Sequence, residues 1–167
     1  MDYYEVIRKR RSIRAYESRE VEGDKLKRIL EAARIAPSAC NNQPWRFVVV
    51  EEAEIKEELK AAYSQPWFWT APVVICACGI LDDAWRRSDG KSYLDVDVAI
   101  AMDHLILAAT AEGLGTCWIG AFDPAEAKRI LHLAPGVEPI ALTPLGYPSV
   151  FPEAKSRKPW DEVIRYV

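Results

Sequence analysis

The chain has 167 residues, with 22 Lys and Arg against 25 Asp and Glu, a formal net charge of -3, and 50% hydrophobic residues. At roughly 100–200 residues per domain, this length predicts a single domain over residues 1–167 that buries about 70% of the surface its unfolded chain exposes. The composition excludes disorder, and the acidic balance excludes the basic excess of a nucleic-acid-binding domain. The opening MDYYEVIRKRR mixes acids and bases where a secretory signal would carry an unbroken apolar run. The longest apolar-rich stretch, Val96–Ala111, is interrupted by Asp97, Asp103 and His104 and falls short of the ~20 residues of a membrane span. Four cysteines, Cys40, Cys76, Cys78 and Cys117, are too sparse for a disulfide scaffold and lack zinc-site spacing. The expectation is a cytoplasmic protein with free thiols and neither a membrane nor a nucleic-acid partner. Six Trp, seven Tyr and four Phe are a heavy aromatic load, so some rings are expected to face a partner subunit or a ligand.

In chain order, Asp2 is placed to cap a first helix whose Tyr3, Val6 and Ile7 form a helical stripe, ending near the basic cluster Arg8–Arg11. Asp24 is the expected cap of a second helix carrying Leu26, Ile29, Leu30 and Ala33 toward Pro37. Residues 37–44, bracketed by prolines, read as a loop. Trp45–Val50 reads as a strand, Ala53–Tyr63 as a helix and Val73–Ile80 as a buried strand. Asp82–Ser92 is a polar surface excursion. A helix apolar on most faces opens at Tyr93-Leu94, runs to Glu112 and ends at Gly113, a suitable left-handed cap; it is the expected central buried helix. Thr116–Ile119 is a short strand, Asp123-Pro124 opens a helix to about Leu133, and Glu138–Gly146 is a further strand. An extended tail, Tyr147–Lys158, precedes a terminal segment whose Val163–Val167 is apt to form a strand. This irregular interleaving predicts an α+β fold rather than a doubly wound sheet.

Several chemistries are not signalled. There is no phosphate-binding G-x-x-x-x-G-K-[ST], no dinucleotide G-x-G-x-x-G, no G-x-S-x-G elbow and no H-E-x-x-H. His104 and His132, the two histidines, both fall in expected helices beside apolar residues and read as structural. Asp97 and His104 are seven apart on one helix but lack a third metal ligand, so Asp97 reads as a solvated acid near a helix N-terminus. Cys76 and Cys78 face the same side of a strand and read as packing residues held apart by strand geometry.

One positive signal is the cluster Arg10-Arg11-Ser12-Ile13-Arg14, three cations and a hydroxyl suited to an anion. A second cluster, Lys155-Ser156-Arg157-Lys158, lies in the tail; if the two converge, a phosphate would hold them together. Together with Ala36-Pro37-Ser38-Ala39-Cys40-Asn41-Asn42-Gln43-Pro44-Trp45, Gly113-Leu114-Gly115-Thr116-Cys117-Trp118-Ile119-Gly120 and Leu145-Gly146-Tyr147-Pro148, these landmarks occur in an order that resembles the nitroreductase family over nearly the whole chain.

The resemblance implies a mixed central sheet flanked by helices, a homodimer that exchanges C-terminal arms, and FMN at the subunit interface. By position, Arg10 and Ser12, aided by Lys155 and Arg157 from the tail, would hold the phosphate and ribityl chain, Arg11 is a further cofactor-binding candidate beside them, and Arg14 would approach the pyrimidine edge of the ring. Pro37, Ser38, Ala39 and Asn41 would come from the other subunit, and Gln43 of the same loop is a further cofactor-binding candidate. Trp118, Ile119, Gly120 and Ala121 would pass over the ring, with the Gly120 N–H aimed at flavin N5. Longer members place an Asn and a Lys mid-chain; here Gln65 and Trp67-Phe68-Trp69 occupy that region. The implied function is a flavoprotein oxidoreductase taking hydride from NADH or NADPH and passing it, ping-pong, to a small-molecule acceptor such as a nitroaromatic, a quinone or a flavin. No catalytic side chain and no metal are expected. The alternative is a flavin- or nucleotide-binding regulatory protein of the same fold without turnover.

Overall fold

The apolar runs WRFVVV and VVICACGI form the strands they predict, β1 (Trp45–Val50) and β2 (Val73–Ile80), in a computed structural model that describes residues 1–167. Two more strands, β3 (Gly115–Thr116) and β4 (Val137–Gly146), complete a sheet of order β1-β2-β4-β3 in which every neighbouring pair is antiparallel. The one parallel element is a bridge from Ser12 to Thr116 at the β3 edge.

Six helices surround the sheet: α1 (Tyr3–Lys9), α2 (Gly23–Arg34), α3 (Ala53–Leu59), α4 (Leu94–Ala111), α5 (Pro124–Ile130) and α6 (Trp160–Val163). The strand period of two divides β2 between two cores. Val73, Ile75 and Ala77 point to a cluster with Ile29 and Ala33 of α2 and Val98, Met102 and Leu105 of α4. Val74, Cys76 and Cys78 point the other way, to Leu59, Phe68, Ala127 and Ile130. Because α4 lies between the sheet and α2, it is apolar nearly all round. Truncating its fully buried Met102 to Ala would cost about 2–5 kcal/mol. No helix is long and apolar enough to cross a membrane.

The caps follow local chemistry. Asp2 accepts from the Glu5 amide at 2.9 Å, and Asp123, followed by Pro124, accepts from Ala125 and Glu126. Helix α4 ends with Gly113 at φ 79°, its amide donating to Thr110 and that of Leu114 to Ala109, the Schellman pattern.

Several expectations are corrected. Glu22, not Asp24, occupies the N-cap of α2 and makes no side-chain cap bond, because its carboxylate is taken by Tyr147. The helix expected over Ala53–Tyr63 stops at Leu59, and its remainder turns so that Tyr63 meets Trp67 and Phe68 edge-on. The strand expected over Thr116–Ile119 is Gly115–Thr116 plus an isolated bridge from Ile119 to Leu142. His132 lies beyond α5, exposed and left-handed at φ 49°, rather than in a helix. Val163–Val167 forms no strand; Trp160–Val163 is a short helix, and residues 151–167 are all exposed. The Cys76 and Cys78 sulfurs are not held apart but touch at 3.5 Å, both free and buried.

Candidate functional site

The segment after α1 is tied to the sheet edge by the Ile13 amide, which donates to Thr116 at 2.9 Å. Extended backbone alternates its side chains, so Ile13 turns inward, 1% exposed, while Ser12 and Arg14 turn outward. Gly115 makes the inward turn possible: a Cβ there would sit 2.5 Å from Ile13 Cγ1.

The tail returns to this segment because β4 is continued by a second pairing. The Glu17 amide donates to Tyr147, the Ser149 amide donates to Ala15, and Tyr16 bridges Pro148. Tyr147 is clamped: its hydroxyl donates to Glu22 at 2.5 Å and accepts from Lys25 at 2.9 Å, and the Arg19 guanidinium lies 3.9 Å above its ring. The Tyr147 bond, aided by Arg19, holds the Glu22 carboxyl down at about 2, well below its ordinary 4.5.

The two basic clusters therefore converge. Arg10, Arg11, Ser12, Arg14, Lys155 and Arg157 line one cleft of about 250 Å³ with a single carboxylate, Glu153. None of the five cations is in an ion pair; every salt bridge in the protein lies elsewhere. Arg11 and Arg157 donate only to backbone carbonyls, of Arg8 and Arg10 and of Lys155 and Ser156. Five unpaired cations in one concavity, in a protein of net charge -3, concentrate positive charge in a geometry suited to an anion. Beneath it, burial pushes the Cys117 thiol up, and Arg14, Ser12 and Arg10 only partly oppose this.

Two further candidate groups lie outside the cleft. In the strip after β3, Ile119 exchanges both backbone bonds with Leu142, at 2.8 and 3.0 Å, while the amides of Trp118, Gly120 and Ala121 donate to nothing in the chain. Trp118 is exposed. This is a ready row of donors for a ring laid across it.

The loop of Pro37, Ser38, Ala39, Asn41 and Gln43 is held in an unusual shape. Cys40, Asn41 and Gln43 have φ of 52°, 57° and 51°, in the left-handed region that side chains avoid. Four side-chain bonds support that shape: the Gln43 amide to Ser38 Oγ at 2.8 Å, and, each at 3.0 Å, Asn42 Nδ2 to Asp83 O, Gln43 Nε2 to Asn41 O and the Ala39 amide to Asp97 Oδ1. Asp97 is thus not a solvated acid but 2% exposed, with its second oxygen unpartnered. The apolar residues flanking it in α4 were the signal that it is buried. Pro37, Asn41 and Gln43 are exposed, Ser38 and Ala39 half-buried, and the loop shares no residue with the basic cleft. Gln65 is also outside the cleft, at the start of the turn Pro66–Thr70 that presents Trp67 to Arg14.

Comparison with known proteins matches the model of the nitroreductase family to residues 7–65 and 56–147. The chain belongs to the nitroreductase family. A solved nitroreductase family protein of Clostridium difficile 630 superposes with a TM-score of 0.92 at 38% identity, covering 99% of this chain and 98% of that one. An NADH dehydrogenase of Thermus thermophilus is 33% identical over 93% of this chain and 91% of its own length. An FMN reductase [NAD(P)H] of Bacillus subtilis is 32% identical over 92% of this chain and 68% of its own.

Proposed function

We propose that this nitroreductase-family chain is an NAD(P)H-dependent FMN oxidoreductase that works as a homodimer. The observation that carries the reading is the cleft of five unpaired cations built from both ends of the chain. Arg10, Arg11, Ser12, Lys155 and Arg157 fit a phosphate dianion and the hydroxyls beside it, and the free amides of Trp118, Gly120 and Ala121 fit the polar edge of a flat ring. Bound there, FMN supplies two-electron hydride chemistry between NADH or NADPH and a small acceptor of the nitroaromatic, quinone or flavin class, in a ping-pong sequence.

The chain's own residues bind and tune. With FMN bound, Arg14 would supply a cation toward the negative charge of the reduced ring, and the Gly120 amide would offer an orienting donor to it. No nucleophile or side-chain base is required of the chain, because the flavin would carry the electrons. The loop of Pro37, Ser38, Ala39, Asn41 and Gln43, held in shape by its own bonds yet outside its own chain's cleft, is suited to close the partner subunit's site.

The test is reconstitution with FMN, desalting, and a visible spectrum before and after anaerobic addition of NADH or NADPH. Near-stoichiometric flavin that bleaches supports the proposal, and no retained flavin overturns it. Retained flavin that does not bleach would favour a regulatory flavin-binding protein.

A further inference from the structure

Arg14 is the one cleft cation whose side chain meets an aromatic face. It makes no hydrogen bond and no ion pair through its guanidinium; its Cζ lies 5.8 Å from the centroid of the Trp67 ring. Trp67 is itself held from several sides. It packs against the buried cluster of Ile13, Tyr16 and Ala71, the cluster that fixes the backbone on which Arg14 stands. It meets Tyr63 edge-on at 6.3 Å and the fully buried Phe68 at 5.8 Å. Its carbonyl accepts from the Thr70 hydroxyl at 2.7 Å, closing the turn.

The physical consequence follows from how a cation acts at a distance. An exposed arginine samples many rotamers, so its charge is spread over a volume and screened by water. Within cation–π range of an indole face the guanidinium is biased toward one place, and because it spends no hydrogen bond within the chain its N–H donors stay free for an anion in the cleft. Trp is the strongest of the aromatic faces for this purpose, and a lysine would not stack in the same way. Trp67 thus does more than fill space between Tyr63 and Phe68.

We infer that Trp67 is a positioning residue for Arg14, holding the guanidinium where it stabilises the added negative charge of reduced flavin. The inference rests on the FMN reading above and deepens it: it names the residue through which Arg14 sets the flavin potential. Trp67 makes no cation–π contact with the other cleft cations, so loss of the ring releases Arg14 directly and loosens the Ile13 packing behind it, which the Arg14→Ala background and thermal unfolding report separately.

The experiment is a midpoint-potential titration of the FMN-loaded protein, alongside FMN affinity and thermal unfolding. In Trp67→Leu the ratio of reduced to oxidised flavin at fixed potential is expected to fall about threefold to tenfold, a shift of ~15–30 mV to more negative values for a two-electron couple. FMN affinity for the oxidised form should stay within about threefold, since the phosphate contacts remain. Trp67→Phe, which keeps a weaker aromatic face and the edge contacts, should shift less, and it carries the test if the leucine variant does not fold. In an Arg14→Ala background neither substitution should shift the potential further.

Potentials of Trp67→Phe and Trp67→Leu equal to that of the unsubstituted protein would overturn the inference while the FMN reading stands. So would an undiminished shift in the Arg14→Ala background, because Trp67 would then act without Arg14. An unsubstituted protein that keeps no FMN after desalting would overturn the proposed function and this inference with it.

Discussion

Gly115→Ala is the substitution through which packing and site are most directly joined. The new Cβ would lie 2.5 Å from Ile13 Cγ1, 2.8 Å from its Cβ and 3.0 Å from its Cγ2. Those atoms cannot swing into solvent, since Ile13 is 1% exposed and is packed with Tyr16 and Ala71. Relief requires the Arg10–Arg14 backbone to move off the β3 edge, straining the Ile13–Thr116 bond. Overpacking of this kind costs about 1–3 kcal/mol. For a chain of this size that lowers Tm by roughly 2–12 °C, taking ~2–4 °C per kcal/mol. Circular dichroism measures the Tm change, and fluorescence titration should show weaker FMN binding because Ser12 and Arg14 flank the displaced residue. Ile13→Ala removes the two γ-carbons in the way, so the double variant should lose less than the sum of the single losses, by about 0.5 kcal/mol or more. A Gly115→Ala protein with unchanged Tm and unchanged FMN affinity would refute the reasoning.

Three other outcomes are expected. Arg157→Ala should weaken FMN binding by about 1.5 kcal/mol, roughly tenfold, and the loss should shrink as salt rises; an affinity indifferent to both would separate the tail from the site. Asp97→Ala should speed amide exchange over residues 38–43 by about fivefold to tenfold, a loss of ~1 kcal/mol in local closing, while exchange matching the unsubstituted protein would deny Asp97 its hold on the loop. Glu22 titrates at about 2 in the folded chain against 4.5 ordinarily. Its stabilisation is therefore present above 4.5 and lost as pH falls through about 2. Tyr147→Phe should flatten that acid limb in urea unfolding between pH 6 and ~2, and an unaltered limb would show that the Tyr147 bond does not set it.

What could be read in the sequence was local. β1 and β2 form over the residues that their apolar, β-branched runs mark, because prolines at 44 and 72 bound them and, for β2, burial on both faces demands it. α4 and its Gly113 stop are equally local. What could not be read depends on distant partners. Glu22 is at the start of α2 but bonds to Tyr147, far along the chain. Asp97 owes its burial to the Ala39 amide. The convergence of the Arg10–Arg14 and Lys155–Arg157 clusters was conditional in the sequence and is brought about by the Tyr147 clamp. The Trp67 face under Arg14 followed from no spacing, since the turn that presents it depends on Tyr63 leaving its expected helix. Val163–Val167 has the composition of a strand but meets no sheet edge within its own chain.

The most direct measurement is a paired titration of the same protein with FMN and with riboflavin, which differ by the phosphate alone, followed by flavin fluorescence. If the five-cation cleft holds that phosphate, FMN should bind at least about 100-fold more tightly, a difference of ~2.7 kcal/mol. Replacing Arg10 and Arg157 by Ala should erase most of the gap. Equal affinities for the two flavins, or a gap that survives both substitutions, would contradict the account.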